Sequence, residues 1–336
     1  MVSVALPDGR ASDTAVNEMR ESQKSVRQKW LTAFALLCFA LAAPTPAEAE
    51  KIKPEEILAR HLESLGPAKA RVSPRVIAGT SQVIFRTPPP GQAIGRAVLA
   101  SDGLKYLVGM SFPSPVYPRE QLGFNGNSFA AAFVTPGVRS VLGNFLMTHN
   151  LIFKQGLMGG ALSTSWPLLD LAGRNAELEY VGARKIDDEA VHELRYLPHG
   201  GSDLKIKLFF DQETFRHVRT EYDRVIPAPT GSREYSNVQE RETRYHMVEE
   251  FSLFKKEGEL TLPHIYKISL SVDTQNGTFL AEWVIKLTQF EFNQKIDPNS
   301  FSISANKIWL AHPTTCKSGL ARARRETFPA RLPTIA

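Results

Sequence analysis

Period-two alternation of apolar and polar residues runs through most of this 336-residue chain, and it limits the possible folds more than any other feature. A strand buried on one face alternates in this way, whereas an amphipathic helix repeats every three to four residues. In Leu204-Lys-Ile-Lys-Leu208 and Tyr266-Lys-Ile-Ser-Leu270 the alternation is clean, so one face is apolar and the other wet. Glu282-Trp283-Val-Ile-Lys-Leu287 likewise puts Trp283, Ile285 and Leu287 on one side. The same pattern predicts strands over 76–86, 177–183, 190–198, 203–211 and 215–224, and a final meander over 244–255, 263–273 and 278–292. A hairpin over 96–110 breaks at Ser101-Asp102-Gly103, and Asn125-Gly126 and Asp211-Gln-Glu-Thr214 read as further tight turns. Asn276-Gly-Thr278 spells a glycosylation sequon, but Asn-Gly between two strands also reads as a hairpin turn. The expected fold is mainly β: a large antiparallel sheet, strongly curved or nearly closed, with a few helices.

Two stretches depart from period two. Pro54 stands at a first-turn position, Glu55 and Glu56 suit the positive helix end, and Ile57, Leu58, His61, Leu62 and Leu65 share one face until Gly66 and Pro67 stop the helix. Between Pro136 and Gly160, helical spacing of Val138, Val141, Leu142, Phe145 and Leu146 is followed by Gly156, Gly159 and Gly160, which predicts short helices joined by flexible turns. No repeat and no Gly/Ser-rich linker divides the body, so residues 50–312 are read as one domain.

The start of the chain reads as a secretory signal peptide over residues 1–49. The apolar run Leu31–Ala43 follows Lys24, Arg27 and Lys29 and is shorter than the ~20 residues a spanning helix needs. Ala47-Glu48-Ala49 is a small-x-small cleavage pattern, so the mature chain is expected to begin at Glu50 and to work in the periplasm. Met19 is an alternative start. Cys38 lacks the small preceding residue that lipidation needs, and its removal with the leader leaves Cys316 alone, so no internal disulfide is available. Stability must therefore come from a core.

The net charge of +5 does not mark a nucleic-acid binder. The leader holds five Lys/Arg and five Asp/Glu, and the segment from Lys317 onward holds five basic residues against Glu326, so the folded body is close to neutral. The basic tail over 313–336 reads as disordered: a solvated terminus or, on a functional reading, a segment that touches an anionic membrane surface or another polyanion. The eight histidines have no metal-site spacing and are expected at surface or strand positions; no Cys pair, calcium loop, Walker loop or Gly-x-Ser-x-Gly occurs. Ser202-Asp-Leu-Lys205 matches a serine acyl-enzyme motif but enters a strand rather than a helix. No enzyme, cofactor or metal is expected.

The opening helix, Leu208-Phe-Phe-Asp211-Gln-Glu-Thr214-Phe-Arg-His-Val-Arg219, Gly258-Glu-Leu-Thr-Leu-Pro263 and Leu287-Thr-Gln-Phe-Glu-Phe-Asn293-Gln-Lys-Ile-Asp297-Pro-Asn-Ser-Phe301 together resemble the outer-membrane lipoprotein-sorting (LolA-like) carrier family. The resemblance covers 177–301 and the opening helix. It implies a strongly curved antiparallel sheet, an unclosed barrel, with an N-terminal helix and short helices over its mouth and an apolar interior that holds acyl chains. On that reading Leu208, Phe210, Ile268, Leu270 and Trp283 form the wall of a cavity, and Phe145, Phe153 and Trp166, beside glycines, form its lid. The function it implies is that of a monomeric carrier or binder of a lipid, a lipoprotein or another apolar ligand, without nucleic acid. The alternative is an envelope structural or protein-interaction module of the same fold, filled by its own side chains.

Overall fold

In the computed structural model, residues 52–228 and 242–303 are described. The expected leader, Cys38, Pro229, Gly231, His312, Cys316 and the basic tail lie outside them.

The opening helix α1, Pro54–Leu65, buries Ile57, His61 and Leu65, and ends at Gly66, whose φ of 123° few other residues adopt. A single turn, α2, Ala68–Arg71, leads into the sheet. Twelve strands follow: β1 Arg75–Phe85, β2 Gly91–Asp102, β3 Lys105–Ser111, β4 Arg119–Phe124, β5 Phe129–Ala131, β6 Glu177–Ile186, β7 Glu189–Leu197, β8 Lys205–Asp211, β9 His217–Ile226, β10 Thr243–Glu257, β11 Leu260–Thr274 and β12 Gly277–Phe292. They form one sheet in the order β5-β4-β3-β2-β1-β12-β11-β10-β9-β8-β7-β6, antiparallel throughout. The edge strands β5 and β6 are not paired with each other, so the sheet is unclosed, as the resemblance implies.

Two meanders, β1 to β5 and β6 to β12, are thus joined by the pairing of β1 with β12, from Arg75↔Phe292 to Phe85↔Ala281. The β2–β3, β4–β5, β8–β9 and β11–β12 hairpins are legible from their turn residues, whereas this long-range pairing is not. Strand β11 begins at Leu260 and carries Pro263 within it. Proline donates no ladder hydrogen bond, and the neighbouring strand answers with Leu253 at a φ of 55°.

One face of the sheet is buried. Along one ladder Thr220, Glu249, Ile268, Trp283 and Val83 point inward, and along another Phe124, Tyr106, Ser101 and Arg75 do the same. Strands β3 and β10 lie five positions apart, roughly 24 Å across a flat sheet at ~4.8 Å per strand. Yet Tyr106 of β3 and Glu249 of β10 both touch Gly159, so the sheet wraps around what covers it. Register shifts at Ala78/Gly79, Tyr180/Gly182 and Phe209/Phe210 add local bends. The alternation fails at Phe209, which points to the outer face but is buried under the Arg184 guanidinium, 4.9 Å from its ring.

Candidate functional site

The inner face is covered by residues 132–176, which carry the chain from the edge strand β5 to the opposite edge strand β6. Helix α3, Val141–Thr148, starts at Ser140, whose Oγ accepts a hydrogen bond from the Gly143 N–H at 2.7 Å. Helix α4, Leu151–Lys154, follows, and then two short 3-10 turns, Gly160–Leu162 and Pro167–Leu169. Leu142, Phe145, Leu146, Ile152, Phe153, Leu157, Met158, Leu162 and Trp166 are all buried. The segment is therefore an apolar plug more than a layer of regular helix. It approaches the sheet closely at Gly159, where φ is 80° and a Cβ would stand 2.1 Å from the Tyr106 hydroxyl oxygen.

All eight residues assigned to lid and wall are buried on this inner side. Phe145 stacks on Tyr245 of β10 at 5.7 Å, and Phe153 lies between Phe129 of β5 at 4.4 Å and Tyr106 at 5.9 Å. Trp166 packs on His217 of β9 at 4.7 Å, and Phe210 meets both His61 at 5.0 Å and His217 at 5.4 Å. Ile268 and Trp283 are register partners, and the Trp283 indole donates to the Tyr117 hydroxyl at 2.9 Å. Leu208 and Leu270 complete the buried wall. Two clefts, of about 390 and about 290 Å³, lie elsewhere: one beside α2 and the β10–β11 turn, the other on the outer face around Arg219, Glu250 and Lys267. None of the eight residues lines either.

The interior also holds polar groups that alternation along the strands does not reveal. Glu249 is fully buried; its Oε1 accepts from the Gly159 N–H at 2.7 Å and the Tyr266 hydroxyl at 2.5 Å, and its Oε2 from the Tyr222 hydroxyl at 2.6 Å. Burial raises its pKa to about 6, although the three donors oppose that rise. Its inward parity was readable from Met247 and Phe251 on either side. Glu120 is buried as well, and accepts from the Tyr117 hydroxyl at 2.5 Å, while its Oε1 has no hydrogen-bond partner; burial raises its pKa to about 7. His217 lies on a strand, as expected, but faces inward; His61 of α1 and His149, just past the end of α3, are buried as well, against the expectation of surface or strand positions, and pack on Phe210 and Tyr245. His61 Nδ1–H donates to the Phe215 carbonyl at 3.0 Å, which leaves Nε2 to accept from the Trp166 indole at 3.3 Å. That tautomer has no place for a second proton. Burial lowers the His61 pKa to about 4.

Arg75 is buried without a carboxylate. It donates to the carbonyls of Ser73 at 3.3 Å, Ala161 at 3.2 Å and Arg71, and burial lowers its pKa to about 10. The Tyr106 hydroxyl and His217 Nδ1 are buried with no partner, and each such group costs about 1–3 kcal/mol. Thr164 N–H donates to the Ser101 hydroxyl at 3.1 Å, so the row Arg75, Ser101 and Tyr106 faces plug residues 159–164. Among the described residues no group of three His, Cys, Asp or Glu side chains is placed to hold a metal ion, and no helix is long and apolar enough to cross a membrane.

The fold and its interior define a wrapped, unclosed antiparallel sheet filled by its own edge-to-edge connection. Among solved structures, the chain is similar to a LolA superfamily protein from Nitrosomonas europaea at 14% identity, over 75% of this chain and 98% of that one, with a TM-score of 0.42. A putative outer membrane lipoprotein-sorting protein domain from Vibrio parahaemolyticus is similar at 12% identity over 74% and 97%, with a TM-score of 0.39. For a DUF1329 family protein from Desulfovibrio piger the identity is 10% over 75% and 98%, with a TM-score of 0.40. No family model matches the chain, and no curated protein matches it.

Proposed function

We propose that this chain is a non-enzymatic binder or carrier of an apolar ligand, a lipid or the acyl chains of a lipoprotein, which it takes onto the inner face of its sheet. On this reading it is exported to the periplasm with its leader removed after Ala49, and the arrangement described above is the closed state. Residues 132–176 then stand where the ligand would lie. The observation that carries the proposal is the poor polar fit of the plug. Buried Tyr106 and His217 lack partners where they meet Gly159 and Gly160, although the surrounding apolar side chains are buried. A core committed to one occupant satisfies such groups. Three plug glycines with positive φ, Gly156, Gly159 and Gly160, supply the hinge.

The second reading is the self-filled module, and one observation favours it. The plug is tied to the body by hydrogen bonds from Trp166 to His61, from Gly159 to Glu249 and from Thr164 to Ser101. One titration separates the two. Displacement of Nile red from the purified full chain by fatty acids of increasing length should strengthen by about 0.8 kcal/mol per methylene until the face is covered. No displacement at any length, with Phe153→Asp behaving like wild type, supports the self-filled module.

A further inference from the structure

The polar groups that meet plug residues 159–161 are arranged for an occupant other than the plug. Arg75 and Tyr106 stand on one inward ladder, with Ser101 between them, and both face this stretch of plug. Arg75 reaches one plug atom, the Ala161 carbonyl oxygen, and its other acceptors are the carbonyls of Ser73 and Arg71. A neutral carbonyl offers a buried guanidinium less than an anionic oxygen does, because charge-assisted hydrogen bonds are roughly twice as strong as neutral ones. The Tyr106 hydroxyl has no partner, and lies where only a glycine fits against it. Across the plug, His217 Nδ1 is a third buried group without a partner, beside Gly160. Glu249, the nearest buried anion, is occupied by Tyr222 and Tyr266 on β10's side of the interior.

We propose that Arg75 and the Tyr106 hydroxyl form a head-group site for an anionic oxygen group, a carboxylate or a phosphate ester, at one end of an acyl ligand. The inference rests on the proposed binding of an apolar ligand to the inner face, and names the chemistry of that ligand's head. With the plug withdrawn, the head group takes the place of the Ala161 carbonyl at Arg75 and accepts the unused Tyr106 hydroxyl. Its chain runs along β1 over Ile77 and Ser81 toward Val83 and its register partner Trp283. From Arg75 to Val83 that path is roughly 26 Å at ~3.3 Å per residue, long enough for a common acyl chain.

The test compares dodecanoate, dodecyl phosphate, dodecanol and dodecylamine as displacers of Nile red from the full chain. An anionic head should displace at about tenfold lower concentration than the alcohol, equivalent to about 1.4 kcal/mol. Dodecanoate against dodecyl phosphate decides between the two anionic sources. Arg75→Gln should reduce the advantage of the acid to less than about twofold, and Arg75→Lys should retain most of it. Should Arg75→Gln fail to fold, Tyr106→Phe preserves the packing; it should weaken the acid about threefold and leave the alcohol unchanged. Equal displacement by acid, alcohol and amine would overturn the head-group site and leave the apolar carrier standing. Displacement by none of them would overturn both.

Discussion

Replacing Glu120 by Gln should stabilise the protein at alkaline pH and do little at acidic pH. The carboxyl is buried, and its pKa is raised by that burial from 4.5 to about 7. A carboxyl whose folded pKa is raised contributes its full stability below the unfolded value of 4.5, and that stability is lost as pH rises through 7. At 1.36 kcal/mol per tenfold change in proton affinity, the charged form costs the fold about 0.8 kcal/mol at pH 5 and about 3.3 kcal/mol at pH 8. Glutamine keeps the carbonyl oxygen that accepts from Tyr117 and never charges. The stability of Glu120→Gln relative to wild type should therefore rise by about 2.5 kcal/mol between pH 5 and pH 8. Urea denaturation of both proteins at the two pH values measures this directly. A difference independent of pH, or a variant that loses stability at the higher pH, would refute the burial argument.

His61 works in the opposite direction: its pKa is lowered to about 4, so its stability is present above 6.5 and lost as pH falls toward 4, by about 3 kcal/mol. Urea melts at both ends of that window should show this acid-side loss in wild type and its reduction in His61→Gln. Gly159→Ala brings a Cβ against the Tyr106 hydroxyl and strains a positive φ, and should lower stability by about 2–4 kcal/mol; Tyr106→Phe in the same chain should recover part of that loss. Phe153→Ala removes a ring packed between Phe129 and Tyr106 and should cost about 3–5 kcal/mol in a thermal or urea melt. N-terminal sequencing of protein secreted by a Gram-negative host should begin at Glu50; a product that retains Met1 would remove the export reading.

The sequence by itself determined the strands, because alternation such as Leu204, Ile206, Leu208 and Phe210 puts one apolar face on any sheet that contains it. Turn chemistry did the same for hairpins, since Asn276-Gly277 and Asp211 to Thr214 close loops whose conformations need those residues. It also marked α1 through Pro54 and Gly66, and it placed Phe145, Phe153 and Trp166 among the inward apolar side chains. Only the tertiary structure decided that β1 pairs with β12, because a pairing between strands two hundred residues apart in the chain leaves no local signal. The same holds for the buried polar groups. Arg75, Tyr106, Glu120, Glu249, His61 and His217 are ordinary residues when read in line, and their charges and hydroxyls acquire shifted pKa values or lose their partners only when the sheet wraps around the plug and excludes water. Periodicity reports which side of a strand a residue faces. What stands opposite it is set by the curvature of the whole sheet.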